Sequence, residues 1–341
     1  MFKLKTFAVA AVLTISAVGA MASNFRAADQ VYLPIGGHAV GGSGLFVSDL
    51  FISNLEADSV TVSMIYSTGT GGTQTTNFAP IVLAANERRE LADFFGSLGV
   101  SGLGQVIFNA CKTGGDCSAT CSGGDPSSGT CPDFRKITVQ SRIYSVPNST
   151  APIASQNTTG QDMTGLPWYS YASMDQAANG LDKVFITGVR FTGTGGVGTY
   201  RTNFGLVNAS QYSSTILRIK IFSNTGVLLS SADQTLQPLG QTQIGLNNAA
   251  FTPALTAGPT QTGLWATVEQ VSATPVGTQP SGCGVNGCPG FFSYGSILDN
   301  ASGDATTLES QFLKSLDYAL GAIYPGTSGS GKSGLRHIAG H

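Results

Sequence analysis

Residues 44–54 read GLFVSDLFISN and residues 198–208 read GTYRTNFGLVN. At a constant offset of 154 they pair Phe46 with Tyr200, Ser48 with Thr202, Asp49 with Asn203, Leu50 with Phe204, Ile52 with Leu206 and Asn54 with Asn208. The aromatic, the hydroxyl, the two apolar residues and the Asn fall on alternate positions. In a strand these share one face, and Asn closes strands at turns. The flanks match too: VYL (31–33) with VFI (184–186), SVTVSMIY (59–66) with TILRIKIF (215–222), and VLAANERRELADFF (82–95) with TLQPLGQTQIGLNNAAF (235–251). GQVIFNA (104–110) pairs with GLWATVEQ (263–270), and ITVQSRIYS (137–145) with FFSYGSILD (291–299). Each copy offers about seven short strands with no helix between them. This predicts an all-β chain of two tandem immunoglobulin-like antiparallel β-sandwiches, over residues 30–176 and 177–304. The 45 Gly suit tight turns, and a 41% hydrophobic content that largely alternates excludes disorder.

The pattern aromatic-[RV]-[ST]-[DN]-apolar-x-apolar-x-Asn, followed by an apolar strand, a Gly turn and L-x-P-x-G-Q-x-Q-I, resembles a group of uncharacterised secreted bacterial proteins with tandem immunoglobulin-like repeats. YRTNFGLVN (200–208), LQPLGQTQI (236–244) and SYGSILDNASGDA (293–305) match best. In the first copy Val47 stands where the pattern has Arg, and ANERREL replaces the Gly-Gln stretch. The resemblance covers most of residues 30–305; it implies the fold and an extracellular setting, and no activity.

Lys3 and Lys5 precede an apolar run from Phe7 to about Val18, then Ala20-Met21-Ala22. This reads as a secretory signal peptide over residues 1–22, cleaved near Ala22, and the run is too short to span a bilayer. Beyond it 15 basic and 19 acidic residues remain, a net charge near −4 that leaves no footprint for nucleic acid or an anionic membrane. The expected location is periplasmic, cell-surface or extracellular.

All six cysteines fall in two insertions at matching places in the copies: Cys111, Cys117, Cys121 and Cys131 after GQVIFNA, and Cys283 and Cys288 after GLWATVEQ. Residues 111–135 hold few apolar side chains, so cross-links rather than burial must order them. An even cysteine count in an exported chain reads as disulfides. Cys283 and Cys288 would close a small ring, and the other four allow three pairings. The spacing C-x5-C-x3-C-x9-C lacks the knuckles of zinc modules, and Asp116, Asp125 and Asp133 lack the spacing of a calcium loop; no metal or cofactor is expected.

Outside the terminal tail the mature chain holds one histidine, His38, in the Gly-rich stretch PIGGHAVGG, which reads as a loop residue. Asp299 and Asp304 in ILDNASGDA read as turn-capping carboxylates. Trp168, Tyr169 and Trp265 are candidates for stacking on a sugar, against the commoner role of aromatic packing. The sequence ATTLESQFLKSLDYALGA reads as an amphipathic helix over 305–322, with Thr306 and Glu309 as a capping box and Leu308, Phe312, Leu316 and Leu320 on one stripe. A flexible Gly/Ser tail over 323–341 follows. In it GTSGSGKS (326–333) satisfies the P-loop pattern, but no strand precedes it and only eight residues follow, so nucleotide binding is not expected.

The functional expectation is therefore a non-catalytic extracellular or cell-surface structural, adhesion or recognition protein, with an extracellular protein or glycan as partner and the stapled loops as binding surface. A carbohydrate-binding or polysaccharide-acting protein is the first alternative. A subunit of a surface filament is the second.

Overall fold

A computed structural model describes residues 27–41, 44–75, 78–117, 133–147, 158–280 and 283–312. The signal peptide, Cys121, Cys131, most of the expected helix and the P-loop-like string lie outside them. The first half contains β1 (Gln30–Gly41), β2 (Gly44–Asn54), β3 (Val60–Thr68), β4 (Thr73–Thr75), β5 (Ile81–Leu83), β6 (Arg88–Leu91), β7 (Gly102–Lys112), β8 (Ile137–Val146), β9 (Thr159–Thr164) and β10 (Leu166–Pro167). The second contains β11 (Lys183–Val189), β12 (Tyr200–Asn208), β13 (Ser213–Phe222), β14 (Leu228–Leu236), β15 (Gln241–Gly245), β16 (Leu264–Pro275), β17 (Phe291–Asp299) and β18 (Ala305–Glu309).

The fold is all-β and antiparallel, with the layering of a β-sandwich. In the first half a sheet runs β4-β3-β7-β1-β2-β8-β9, with β5 on β3, β6 on β2 and β10 on β1. The second half has two separate sheets, β11-β16-β13-β14 and β15-β12-β17-β18. Alternation builds each core. In β13, Leu217, Ile219 and Ile221 are buried while Arg218 and Lys220 face outward, so one strand supplies an apolar face to the interior and a charged face to the surface. One core joins Val31, Leu33, Val62, Met64, Val106 and Phe108 to Leu50, Ile52, Ile137 and Val139, so β3-β7-β1 faces β2-β8. The second joins Val184, Ile186, Leu217, Ile219, Ala266 and Val268 to Phe204, Leu206, Ile244 and Phe291.

The paired residues of the sequence repeat make the same bonds in both halves. Ser48 Oγ donates to Gly37 O and accepts from Gly37 N; Thr202 Oγ1 does the same with Arg190. Asn54 Nδ2 donates to the carbonyls of Asp58 and Ala84 and its Oδ1 accepts from Glu56 N. Asn208 Nδ2 donates to those of Ser213 and Gln237, and its Oδ1 accepts from Ser210 N. Each Asn thus ties the end of one strand to two turns, where unpaired backbone groups would otherwise be costly to bury.

A third apolar cluster joins the halves. Tyr32, Ile107 and Ile65 form one cross-strand row on the outer face of β1-β7-β3 and pack against Val207, Ala209, Leu239 and Phe292. Gln105 Nε2 donates to the carbonyls of Asn208 and Leu239, Ser67 Oγ to Leu239 O, and Gln241 Nε2 to Leu103 O. The backbone of the β3–β4 turn is clamped as well, Gln237 N on Thr70 O and Gln241 N on Gly69 O. Burying each large apolar side chain here is worth about 1.5–3 kcal/mol, so the junction is a core in its own right rather than a hinge. At the side, β9 lies against β18 and β17: Thr307 Oγ1 of β18 donates to Asp162 O at 2.7 Å, and Ser296 Oγ of β17 to Gln161 Oε1 at 2.6 Å.

Two expectations are corrected. Residues 305–309 are strand β18, not the start of a helix; Thr306 pairs with Ile297, and Leu308 and Phe312 pack on the second core. Pairing with β17 satisfies the backbone groups that the capping box was to serve. His38 is in strand β1, opposite Gly102, not in a loop.

Candidate functional site

The first stapled loop leaves β7 and returns to β8. Cys111 is disulfide-bonded to Cys117, and Phe134 bridges back to Cys111. Lys112 N donates to Asp133 O, and Asp133 Oδ2 accepts from Asp116 N at 2.8 Å. Gly115 permits this fold-over, since a Cβ there would lie 2.7 Å from the Asp133 carboxyl carbon. The loop's base is charged. Arg135 Nη2 and Nε donate to Asp58 Oδ2 at 2.6 and 3.1 Å, Lys112 Nζ lies 4.0 Å away, and Lys136 N donates to Glu56 Oε1. The Arg135 hydrogen bonds, with help from the Lys112 charge, hold the Asp58 carboxyl below its usual range.

The second loop leaves β16 and returns to β17, the matching place in the other half. Cys283 is bonded to Cys288, and the ring between them presents Val285, 91% exposed. Asn286 Nδ2 donates to Asp175 Oδ1, on a 3-10 segment of the connection between the halves, and Gln279 Nε2 ties the loop to Tyr212 O. This ring therefore braces the joint, while the first loop stands at the free end of its half.

Trp168 and Tyr169, the candidate stacking residues, belong to that connection. Both are half-buried, their rings meet edge to face at 5.6 Å, and Trp168 Nε1 donates to Asp29 Oδ1. Trp265 lies on the outer face of β11-β16-β13. Phe222 stacks on it at 4.1 Å and 11°, and Phe185 at 6.3 Å and 25°. A sugar stacks on an open ring face, and flanking phenyl rings take that role for Trp265.

A cluster that the sequence did not reveal surrounds His38. Its Nδ1 lies 2.9 Å from Asp93 Oδ1, Asp93 N donates to Asp49 Oδ1, and Tyr144 OH donates to the same Asp49 oxygen at 3.0 Å. Burial first, then the bond to Asp49 and the charges of Asp49 and Asp93, push the Tyr144 hydroxyl above its ordinary range. Asp93 has φ 39, a left-handed conformation that turns its side chain back toward β1. Four segments meet here, at residues 38, 49, 93 and 144, so no local motif announced the site. Its partners are internal ones, and the arrangement holds the 93–97 turn against the sheet. Asp299 caps its own turn, accepting from Ala301 N and Ser302 N. Among the described residues no group of three or more His, Cys, Asp or Glu is arranged to hold a metal ion, and no helix is long and apolar enough to cross a membrane.

No family model matches this chain, and no curated protein matches it in sequence. Among solved structures, a β-glucuronidase of Bacteroides uniformis aligns over 78% of this chain and 24% of its own, at 10% identity and a TM-score of 0.15. A calcium-binding mutant of Bacteroides uniformis β-glucuronidase 2 covers 86% and 27%, at 10% identity and a TM-score of 0.14. The chain spans about a quarter of the length of those enzymes. Likeness at that level carries no argument for this chain.

Proposed function

We propose that the chain is a non-catalytic structural and recognition module working in an oxidising, extracytoplasmic setting, built from two copies of one immunoglobulin-like sandwich. The buried junction carries this reading: two stacked sandwiches locked by Tyr32, Ile65, Ile107, Val207, Leu239 and Phe292 form a stiff spacer rather than a cleft that opens and closes. The shared orders β1-β7-β3-β4 and β11-β16-β13-β14, and β6-β2-β8-β9 and β15-β12-β17-β18, with the matched bonds of Ser48 with Thr202 and of Asn54 with Asn208, support the duplication. Two disulfides fit an oxidising compartment.

The recognition surface is the free end of the first half, where the Cys111–Cys117 loop, Lys112, Asp116, Arg135 and Lys136 are pre-shaped by covalent and ionic ties. Pre-shaping lowers the entropy cost of binding. A protein partner is favoured over a glycan because Phe222 stacks on Trp265 at 4.1 Å and Phe185 lies nearby, which crowds the indole face a sugar would use. The test is crosslinking of the full chain in culture beside a glycan array. A protein partner is expected, lost on Arg135→Glu with Lys136→Glu. An array response abolished by Trp168→Ala, or release of sugar from a polysaccharide, would overturn the reading.

A further inference from the structure

The junction within the chain has a vacant counterpart. Strand pairing sets Tyr32, Ile107 and Ile65 in one row, and Phe185, Thr267 and Lys220 in the matching row of the second half. The next row holds Gln105 and Ser67 in the first half, and Trp265 and Phe222 in the second. In the first half this face is covered by the second half. In the second half the same face keeps Phe185, Trp265 and Phe222 partly exposed.

The adjoining turn repeats the difference. A Cβ on Gly72, in the β3–β4 turn, would lie 1.9 Å from Pro238 O, so this turn presses directly on the second half's backbone. Gly226, 154 positions later in the β13–β14 turn, faces open space. Beside it Val227 and Leu228 are 59% and 52% exposed. The surface that does the covering is duplicated too. Its turn is centred on Leu239, φ 55; the corresponding turn of the first half carries Asn86, φ 57, and the counterpart of junction residue Ala209 is Leu55, 57% exposed.

We propose that the open outer face of β11, β16 and β13 docks the free end of the first half of a second copy of this chain, repeating end to end the contact that the halves make within one chain. The inference rests on reading the halves as copies. Here the contact is aromatic on one side, with the rings, Val227 and Leu228, and mixed on the other, where exposed Leu55 stands among Ser53, Thr138 and Asn86. Scattered single apolar residues are ordinary on a surface, but a ring stack continuous with two exposed aliphatics marks an interaction site. The two surfaces differ and lie on different halves, so the contact is heterologous and does not close on itself; copies add in a line.

Sedimentation velocity of the full mature chain tests this. Mass should rise with concentration for the wild type. Val227→Asp with Leu228→Asp, and separately Leu55→Asp, should each give monomers with an unchanged melting temperature. Mixed in equal amounts, the two variants should form a heterodimer and nothing larger, because each retains the surface that the other lacks. A wild type that stays monomeric at every concentration, as when its own residues 313–341 cover the face, overturns the proposal. So do a closed symmetric dimer and variants that assemble like the wild type. Partner capture is measured on the Val227→Asp, Leu228→Asp variant, whose first-half free end is unaltered, so loss of self-assembly and loss of the recognition reading are read apart.

Discussion

The outer faces of β1-β7-β3 and β11-β16-β13 have the same strand order and different fates. The first carries Tyr32, Ile107 and Ile65 with Gln105 and Ser67, and disappears into the junction. The second keeps Phe185, Lys220, Trp265 and Phe222 partly exposed around a buried Thr267. The comparison teaches that two halves with matching strand orders can keep similar cores while their outer faces take different roles. In the first half, polar side chains reach backbone carbonyls of the covering half; in the second, rings stack on one another.

The largest expected effect separates these faces directly. Ile107→Ala should cost about 2–5 kcal/mol in urea denaturation, since it removes a fully buried side chain from the joint, whereas Thr267→Ala at the matching position should cost about 1 kcal/mol or less. Equal costs would mean the second face is covered too. Next come the strand-end amides. Asn208→Ala and Asn54→Ala each strand buried carbonyls and should cost about 1–3 kcal/mol. The Asn208 change should be the larger, because its side-chain bonds to Ser213 O and from Ser210 N are buried whereas those of Asn54 are only partly so.

The disulfides sharpen the comparison of the loops. Replacing either pair by Ser should cost about 2 kcal/mol on chain-entropy grounds, as the rings are of similar size. Only Cys283→Ser with Cys288→Ser should speed amide exchange at 174–179, through loss of the Asn286–Asp175 contact. The smallest effect is acid sensitivity. The Asp58 carboxyl is depressed below its unfolded value, so its contribution is full above the ordinary carboxylate range and fades as pH falls through the folded value. Arg135→Gln should therefore flatten the fall in melting temperature between neutral and acid pH.

Strands were legible in the sequence wherever one face is buried, as in TILRIKIF, because alternation is written residue by residue. Register was not. Matching letters sets Tyr66 against Phe222, but Tyr66 lies opposite Val106 and Leu33, and Ile221 opposite Ala266 and Ile186. Tyr66 therefore corresponds to Ile221. A slip of one exchanges the two faces of a strand, so the outward row of aromatics stayed hidden. ATTLESQF misled for another reason. Its apolar spacing suits a helix, but a free edge of β17 lies within reach, and pairing across the sheet outweighs local preference. The His38 cluster needed the fold itself, since its members are up to 106 positions apart.

The side-by-side placing of β9 and β18 bears on the order of events as the chain emerges. Residues 159–164 finish the first half's sheet, but what shields their outer edge arrives only with residues 305–309. Until then a hydrogen-bonding edge stands open on an otherwise complete sandwich, a template for pairing with a stranger. The interval between synthesis of the two strands is the period in which this protein most needs to be kept from its neighbours.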